Sequence, residues 1–204
     1  MRTSYGFNEM SAVKADRPSS INETGAYIVK ILQAEIYDTK NGATQIRFVV
    51  KATEGAQAWI DLNIVKSNGD ESFGMGILHT MLGLLGLSEV RPVNAQIRAR
   101  DGSTINGKRL LDLERKDIGL FLQRENQFYT DKNGEEKEGY RMNIIRAFDP
   151  ASGKTFSELN YSRPAQIIEG LKKTMKDKPA KRDGNGGGFE SPSRGEVDSG
   201  DVPF

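Results

Sequence analysis

The residues of this chain whose types could do chemistry are aromatic and cationic, and they gather in two echoing places. Tyr37-Asp38-Thr39-Lys40-Asn41-Gly42 and Tyr129-Thr130-Asp131-Lys132-Asn133-Gly134 each set a tyrosine at a strand end and a lysine at a turn tip. Between them lie Arg47, Trp59, Arg98 and Arg100, and after the second come Tyr140 and Arg141. Aromatic faces stack on bases and cations neutralise phosphates, the two ingredients of binding a single strand. Trp59 is the only tryptophan. It alternates with the polar residues Gln57, Asp61 and Asn63 rather than with Ala58, Ile60 and Leu62, so it faces the polar side of its strand. Arg47 has the same polar character on the preceding strand, where a guanidinium meets phosphate or stacks on a ring. Arg98 and Arg100 alternate outward, and one of Tyr140 and Arg141 faces the same groove. The plainer reading is that hairpins use Asn-Gly for their turns in any case, that Tyr is simply a good strand residue, and that a partner or the last helix covers Trp59.

Bond-making chemistry finds little support. There is no cysteine, which excludes disulfides, thiolate metal sites and thiol nucleophiles. The single histidine, His79, builds no zinc site alone. Gly153-Lys154-Thr155 matches the end of a phosphate-binding loop, but that pattern needs a glycine where Phe148 stands. The Glu135-Glu136 pair sits at a hairpin tip, as solvated carboxylates do. The expectation is a binding protein with no metal and no cofactor. A nucleotide-hydrolysing enzyme using Lys154 and Thr155 is the distant alternative.

The elements that must position these groups are mostly strands. Gly25 to Tyr37 is rich in β-branched and aromatic residues and long for one strand, as expected where a strand bends and changes neighbours. After Asn41-Gly42, Thr44, Ile46, Phe48 and Val50 face one way while Gln45, Arg47, Val49 and Lys51 face the other. Glu54-Gly55 turns into the third strand, which carries Trp59. Phe73 to Leu87 changes period: Met75, Leu78, Leu82 and Leu85 sit at helical spacing, with Gly86 as a stop. Its interior Gly76 and Gly83 weaken the helix. Ala95 to Arg100 reads as a short edge strand and Gly102 to Gly107 as an exposed loop. A strand pair follows over 118–129 and 139–148, then a terminal helix from Pro164 to Lys176. Five strands with a helix between the third and fourth is the layout of the five-stranded oligonucleotide-binding (OB) barrel, in which the loops joining strands one and two and strands four and five flank the binding groove.

The end of the chain is of another kind. From Pro179 to Ser193 there is almost nothing to bury, and Gly184, Gly186, Gly187 and Gly188 make a tether that cannot offset its ordering entropy. It carries acidic residues and then Asp201-Val202-Pro203-Phe204. From Asp177 onward six acidic residues face four basic ones, so the tail is about −2 and the remainder about +3 of the net +1.

These last four residues resemble the C-terminal tip of bacterial and phage single-stranded-DNA-binding proteins, where Asp, an aliphatic residue, Pro and Phe close a Gly-rich acidic tail. Fewer acids precede the tip here than in the best-known members. The resemblance implies an OB-fold body that holds single-stranded DNA with little sequence preference, in replication, recombination or repair. It implies that Asp201, Val202, Pro203 and Phe204 recruit partner proteins and compete with DNA for the groove. A strand-annealing or recombination-mediator protein is the alternative in the same class. The expected divisions are an arm over 1–24, the DNA-binding domain over 25–176 and a disordered tail over 177–204. No signal peptide or spanning segment is visible, so the expected place is the cytoplasm, of a host if the chain is phage-encoded. Homo-oligomers are compatible with all of this.

Overall fold

The computed structural model describes residues 19–131 and 133–180. The arm before residue 19, Lys132, and the tail with Asp201, Val202, Pro203 and Phe204 therefore lie outside the described residues.

Among the described residues the fold is mainly β: seven strands in one antiparallel sheet. They are β1 (Gly25–Asp38), β2 (Thr44–Ala52), β3 (Gln57–Val65), β4 (Val93–Arg98), β5 (Thr104–Arg109), β6 (Asp117–Thr130) and β7 (Glu136–Phe148). Three helices join them: α1 (Phe73–Leu84), α2 (Phe156–Asn160) and α3 (Ile167–Thr174). The expected five strands therefore become seven. The stretch expected as an exposed loop, Gly102 to Gly107, is largely β5, which pairs with β4 from Val93↔Arg109 to Arg98↔Thr104. The sequence hid it because Thr104-Ile105-Asn106-Gly107-Lys108 has one large apolar residue and no buried face to create a period. The terminal helix is shorter than the expected span, and the five-residue α2 precedes it.

β1 changes neighbours along its length, as its composition suggested. Gly25 to Lys30 pair with β6, Val29 to Asp38 with β2, and Glu35 and Ile36 with β5. The register on β2 shifts between Ile31 and Gln33, a bulge that bends the strand. The sheet stays open: β3 and β7 approach one another, but no ladder joins them. α1 packs against both. The main core lies between the inner strand faces and this helix, with Ile31, Ile46, Phe48, Ile60, Met81 and Leu120 fully buried. Each such side chain is worth about 1.5–3 kcal/mol over its exposed state.

α1 ends where Gly86 predicts. Gly86 has φ +66°, its N–H donates to Gly83 O at 3.3 Å, and Leu87 N–H donates to Leu82 O at 2.9 Å, a Schellman stop. The buried stripe is Gly74, Ile77, Leu78 and Met81, with Met75, Leu82 and Leu85 at its margin. A smaller core forms on the other face of β6–β7, where Ile168 of α3 meets Phe121 and Phe148. The chain on either side of the sheet is tied in as well. Ile21 is 3 % exposed and its N–H donates to Gln57 O, and Lys178 bridges to Glu125 of β6.

Candidate nucleic-acid interface

The outward face of β1–β3 is built by register. Gln33, Val49 and Trp59 form one cross-strand row, Glu35, Arg47 and Asp61 the next, and Tyr37 and Gln45 begin a third. Alternation sends Ile46, Phe48, Ile60 and Leu62 inward and leaves these side chains on the other side. The β4–β5 hairpin leans over this face. The Gln33 side chain bonds the Arg98 backbone twice, donating to its O at 3.3 Å and accepting from its N–H at 3.0 Å. Below it Ile97 is 1 % exposed.

Sheet and hairpin together enclose a recess of about 310 Å³. Glu35, Arg47, Trp59 and Asp61 line it from the sheet, and Ile97, Ala99, Arg100 and Ile105 from the hairpin. Four of the expected residues meet in or beside it. The Arg100 guanidinium lies 5.6 Å from the centroid of the Trp59 ring, and that of Arg47 lies 4.7 Å from the Tyr37 ring. Arg47 is firmly held: its Nε donates to Asp61 Oδ1 at 2.7 Å and an NH2 nitrogen donates to Tyr37 Oη at 2.9 Å. Tyr37 in turn donates to Gln45 Oε1 at 2.8 Å.

The charge of the recess is balanced rather than basic, with Glu35 and Asp61 facing Arg47 and Arg100. Burial pushes the Glu35 carboxyl above its ordinary pKa; Arg47 opposes this and Asp61 adds to it. Burial and the negative charge of Asp61 raise the Tyr37 hydroxyl likewise. Burial works against the charge of Arg47, but the hydrogen bond and charge of Asp61 outweigh it and hold the guanidinium more firmly protonated.

The remaining expected residues lie elsewhere. Lys40 is exposed on the β1–β2 turn. Arg98 is exposed and does not line the recess, because the turn from Ala99 to Ser103 breaks the alternation before Arg100. On the β6–β7 arm, Asn126 faces Tyr140 and Glu125 faces Arg141, so Tyr140 and Arg141 point to opposite sides. Tyr140 carries the Arg124 guanidinium at 4.7 Å over its ring. Arg141 is paired with Glu125 at 2.8 Å, and Glu125 also accepts from Asn143 at 2.7 Å. Tyr129 is half exposed and lies across Gly139, where a Cβ would come within 2.9 Å of its ring. The arm's tip is acidic: Asp131, Glu135, Glu136 and Glu138 outnumber Lys132 and Lys137, and Lys137 pairs with Asp131 and Glu135.

Glu35, Ile105 and Arg124 also belong to these surroundings. Glu35 shares the parity of Tyr37 and was findable from it. Ile105 and Ala99 enter only through the β4–β5 hairpin, and Arg124 only through the pairing of β6 with β7. The Gly153-Lys154-Thr155 segment has a local role. Thr155 is 4 % exposed and caps α2, its hydroxyl donating to Glu158 Oε2 at 2.9 Å. That hydroxyl is the group a phosphate-binding loop would offer to Mg²⁺. No helix among the described residues is long and apolar enough to cross a membrane.

Compared with known proteins, the chain matches no family model and no curated protein.

Proposed function

We propose that the chain is a non-enzymatic single-stranded-DNA-binding protein of replication, recombination or repair, with an OB-type body and a partner-recruiting C-terminal tip. The observation that carries this reading is the recess on the outward face of β1–β3, where Arg100 lies over Trp59 and, at its side, Arg47 lies over Tyr37. Base stacking on an aromatic ring is worth about 1–3 kcal/mol per base, and the exposed Arg100 guanidinium beside Trp59 meets phosphate or stacks in turn. The strand order supports the OB reading of the body: a bent β1 shared between β2 and β6, α1 after β3, and β6–β7 as the last pair, after a β4–β5 hairpin. In OB folds that face, between the β1–β2 and last-pair loops, is where single strands lie.

The tip supports the recruiting role by its chemistry. Phe204 suits an apolar pocket, and Asp201 suits Arg or Lys around it. A gel shift comparing single-stranded DNA, duplex DNA and single-stranded RNA across a salt series tests the reading. Single strands are retained to higher salt than duplex. Equal retention of duplex, or none of either, overturns it. Deleting Asp201 to Phe204 leaves DNA binding equal or tighter and abolishes partner capture.

A further inference from the structure

Glu35 stands out in the recess because its carboxylate has no donor. It is partly buried, yet among the described residues no side chain or backbone N–H bonds its oxygens. The cations nearest in register are committed elsewhere. Arg47, opposite on β2, is held by Asp61 at 2.7 Å. Arg109, opposite on β5, gives its Nε to Glu114 at 2.8 Å and an NH1 nitrogen to Gln96 O at 2.9 Å. Asp61 is itself occupied by Arg47. Its oxygens are partly covered but still open to solvent, so they remain available to accept from an N–H that a ligand brings into the recess.

The rest of the recess is shaped for a flat, partly polar group. Its about 310 Å³ lies at the small end of small-molecule sites. Trp59 offers a ring face, Ile97, Ala99 and Ile105 an apolar wall, and Glu35 an acceptor at the polar edge. Arg100 is exposed on its turn and rests over Trp59 at 5.6 Å, so it can lift and restack on the outer face of whatever enters.

We infer that the recess takes one splayed-out nucleobase, stacked between Trp59 and Arg100, and that Glu35 selects bases carrying an exocyclic amino group over thymine. This deepens the single-strand reading and rests on it. Cytosine presents N4–H₂ and adenine N6–H₂ to an acceptor, and a carboxylate accepting from cytosine N4 is an established pairing. Thymine has no amino group: its one ring N–H is flanked by two carbonyl oxygens, which repel a carboxylate. Otherwise sequence-neutral binding thus acquires one position per site that disfavours thymine.

Fluorescence anisotropy with end-labelled dC12 and dT12 at pH 8 tests this on the full-length protein and on Glu35→Gln. The wild type binds dC12 about tenfold or more tightly than dT12, the size of one charge-assisted hydrogen bond. Glu35→Gln brings the two affinities together, chiefly by strengthening dT12, because an amide can donate to a thymine carbonyl. Glu35→Asp, which keeps the charge, retains part of the preference. Comparing ratios cancels the general gain in affinity from removing a negative charge. Equal wild-type affinities, or a cytosine preference unchanged in Glu35→Gln, overturn the selection while leaving single-strand binding in place. Failure to bind either oligonucleotide overturns both.

Discussion

Arg47 shows how far a residue's type falls short of its role. By sequence it was a cation on a polar strand face, free for phosphate. In the fold it is clamped by Asp61 and stacked on Tyr37. A half-exposed pair of this kind adds at most about 1 kcal/mol to stability. Its larger effect is to hold the Tyr37 ring and keep a guanidinium out of reach. Asp61→Asn therefore leaves the fold intact, frees Arg47, and tightens single-stranded DNA binding a few-fold with a steeper salt dependence, measured by anisotropy. Weaker binding would assign Asp61 a direct contact. Trp59 was legible because one residue out of phase with Ile60 and Leu62 is visible in the sequence alone. The face of Glu35 is readable from its parity with Tyr37, but its lack of a donor is not, because that depends on what Arg47 and Arg109 do with their other neighbours.

At the scale of elements, period and turn chemistry predicted β1–β3, α1 and the β6–β7 pair. They failed at β5 and α2, whose residues are mostly exposed and carry no buried stripe. Two glycines of α1 are placed by packing. Gly74 lets the helix start touch β3: a Cβ there would lie 2.1 Å from the backbone O of Asn63. Gly83 does the same for the Phe156 ring at 2.6 Å. Close approach, not helix propensity, places them. Since backbone cannot yield as a side chain does, Gly74→Ala costs about 1–3 kcal/mol in chemical denaturation, whereas Gly76→Ala, facing open space, is neutral or stabilising. Glu158 is a second joint. It is 3 % exposed, accepts from Thr155 N–H and hydroxyl, and accepts from Gln166 and Ile167 N–H at 2.7 and 2.8 Å, tying α2 to the start of α3. Glu158→Gln weakens charge-assisted bonds to four donors and costs about 1.5–3 kcal/mol in the same assay.

For the whole molecule, charge placement matters more than the net +1. Burial works against the charge of Glu158, but the N–H groups of Ile167, Thr155 and Gln166 outweigh it and hold its carboxyl low. Burial likewise opposes Glu125, and Arg141 and Asn143 overcome it. Lys137 lowers Asp131, and Ser152 lowers Asp149. A carboxyl depressed by folding adds stability above its unfolded pKa and loses it as pH falls through the folded value. Glu35, raised by burial, acts in the opposite sense, adding stability at low pH and losing it as pH rises. The depressed groups outnumber it. The thermal midpoint therefore falls as pH drops from about 6 to below the usual carboxylate range near 4. A midpoint that rose on acidification would contradict the paired-carboxylate account.

Trp59, the only tryptophan, reports alone on whether a single strand lies on the outward face of β1–β3. Tryptophan fluorescence is titrated with poly-dT at low salt and then reversed with added salt. Strong quenching that saturates and is released as salt rises is the expected result. A signal unchanged by poly-dT, under conditions where a labelled strand is bound, would place the DNA elsewhere and contradict it.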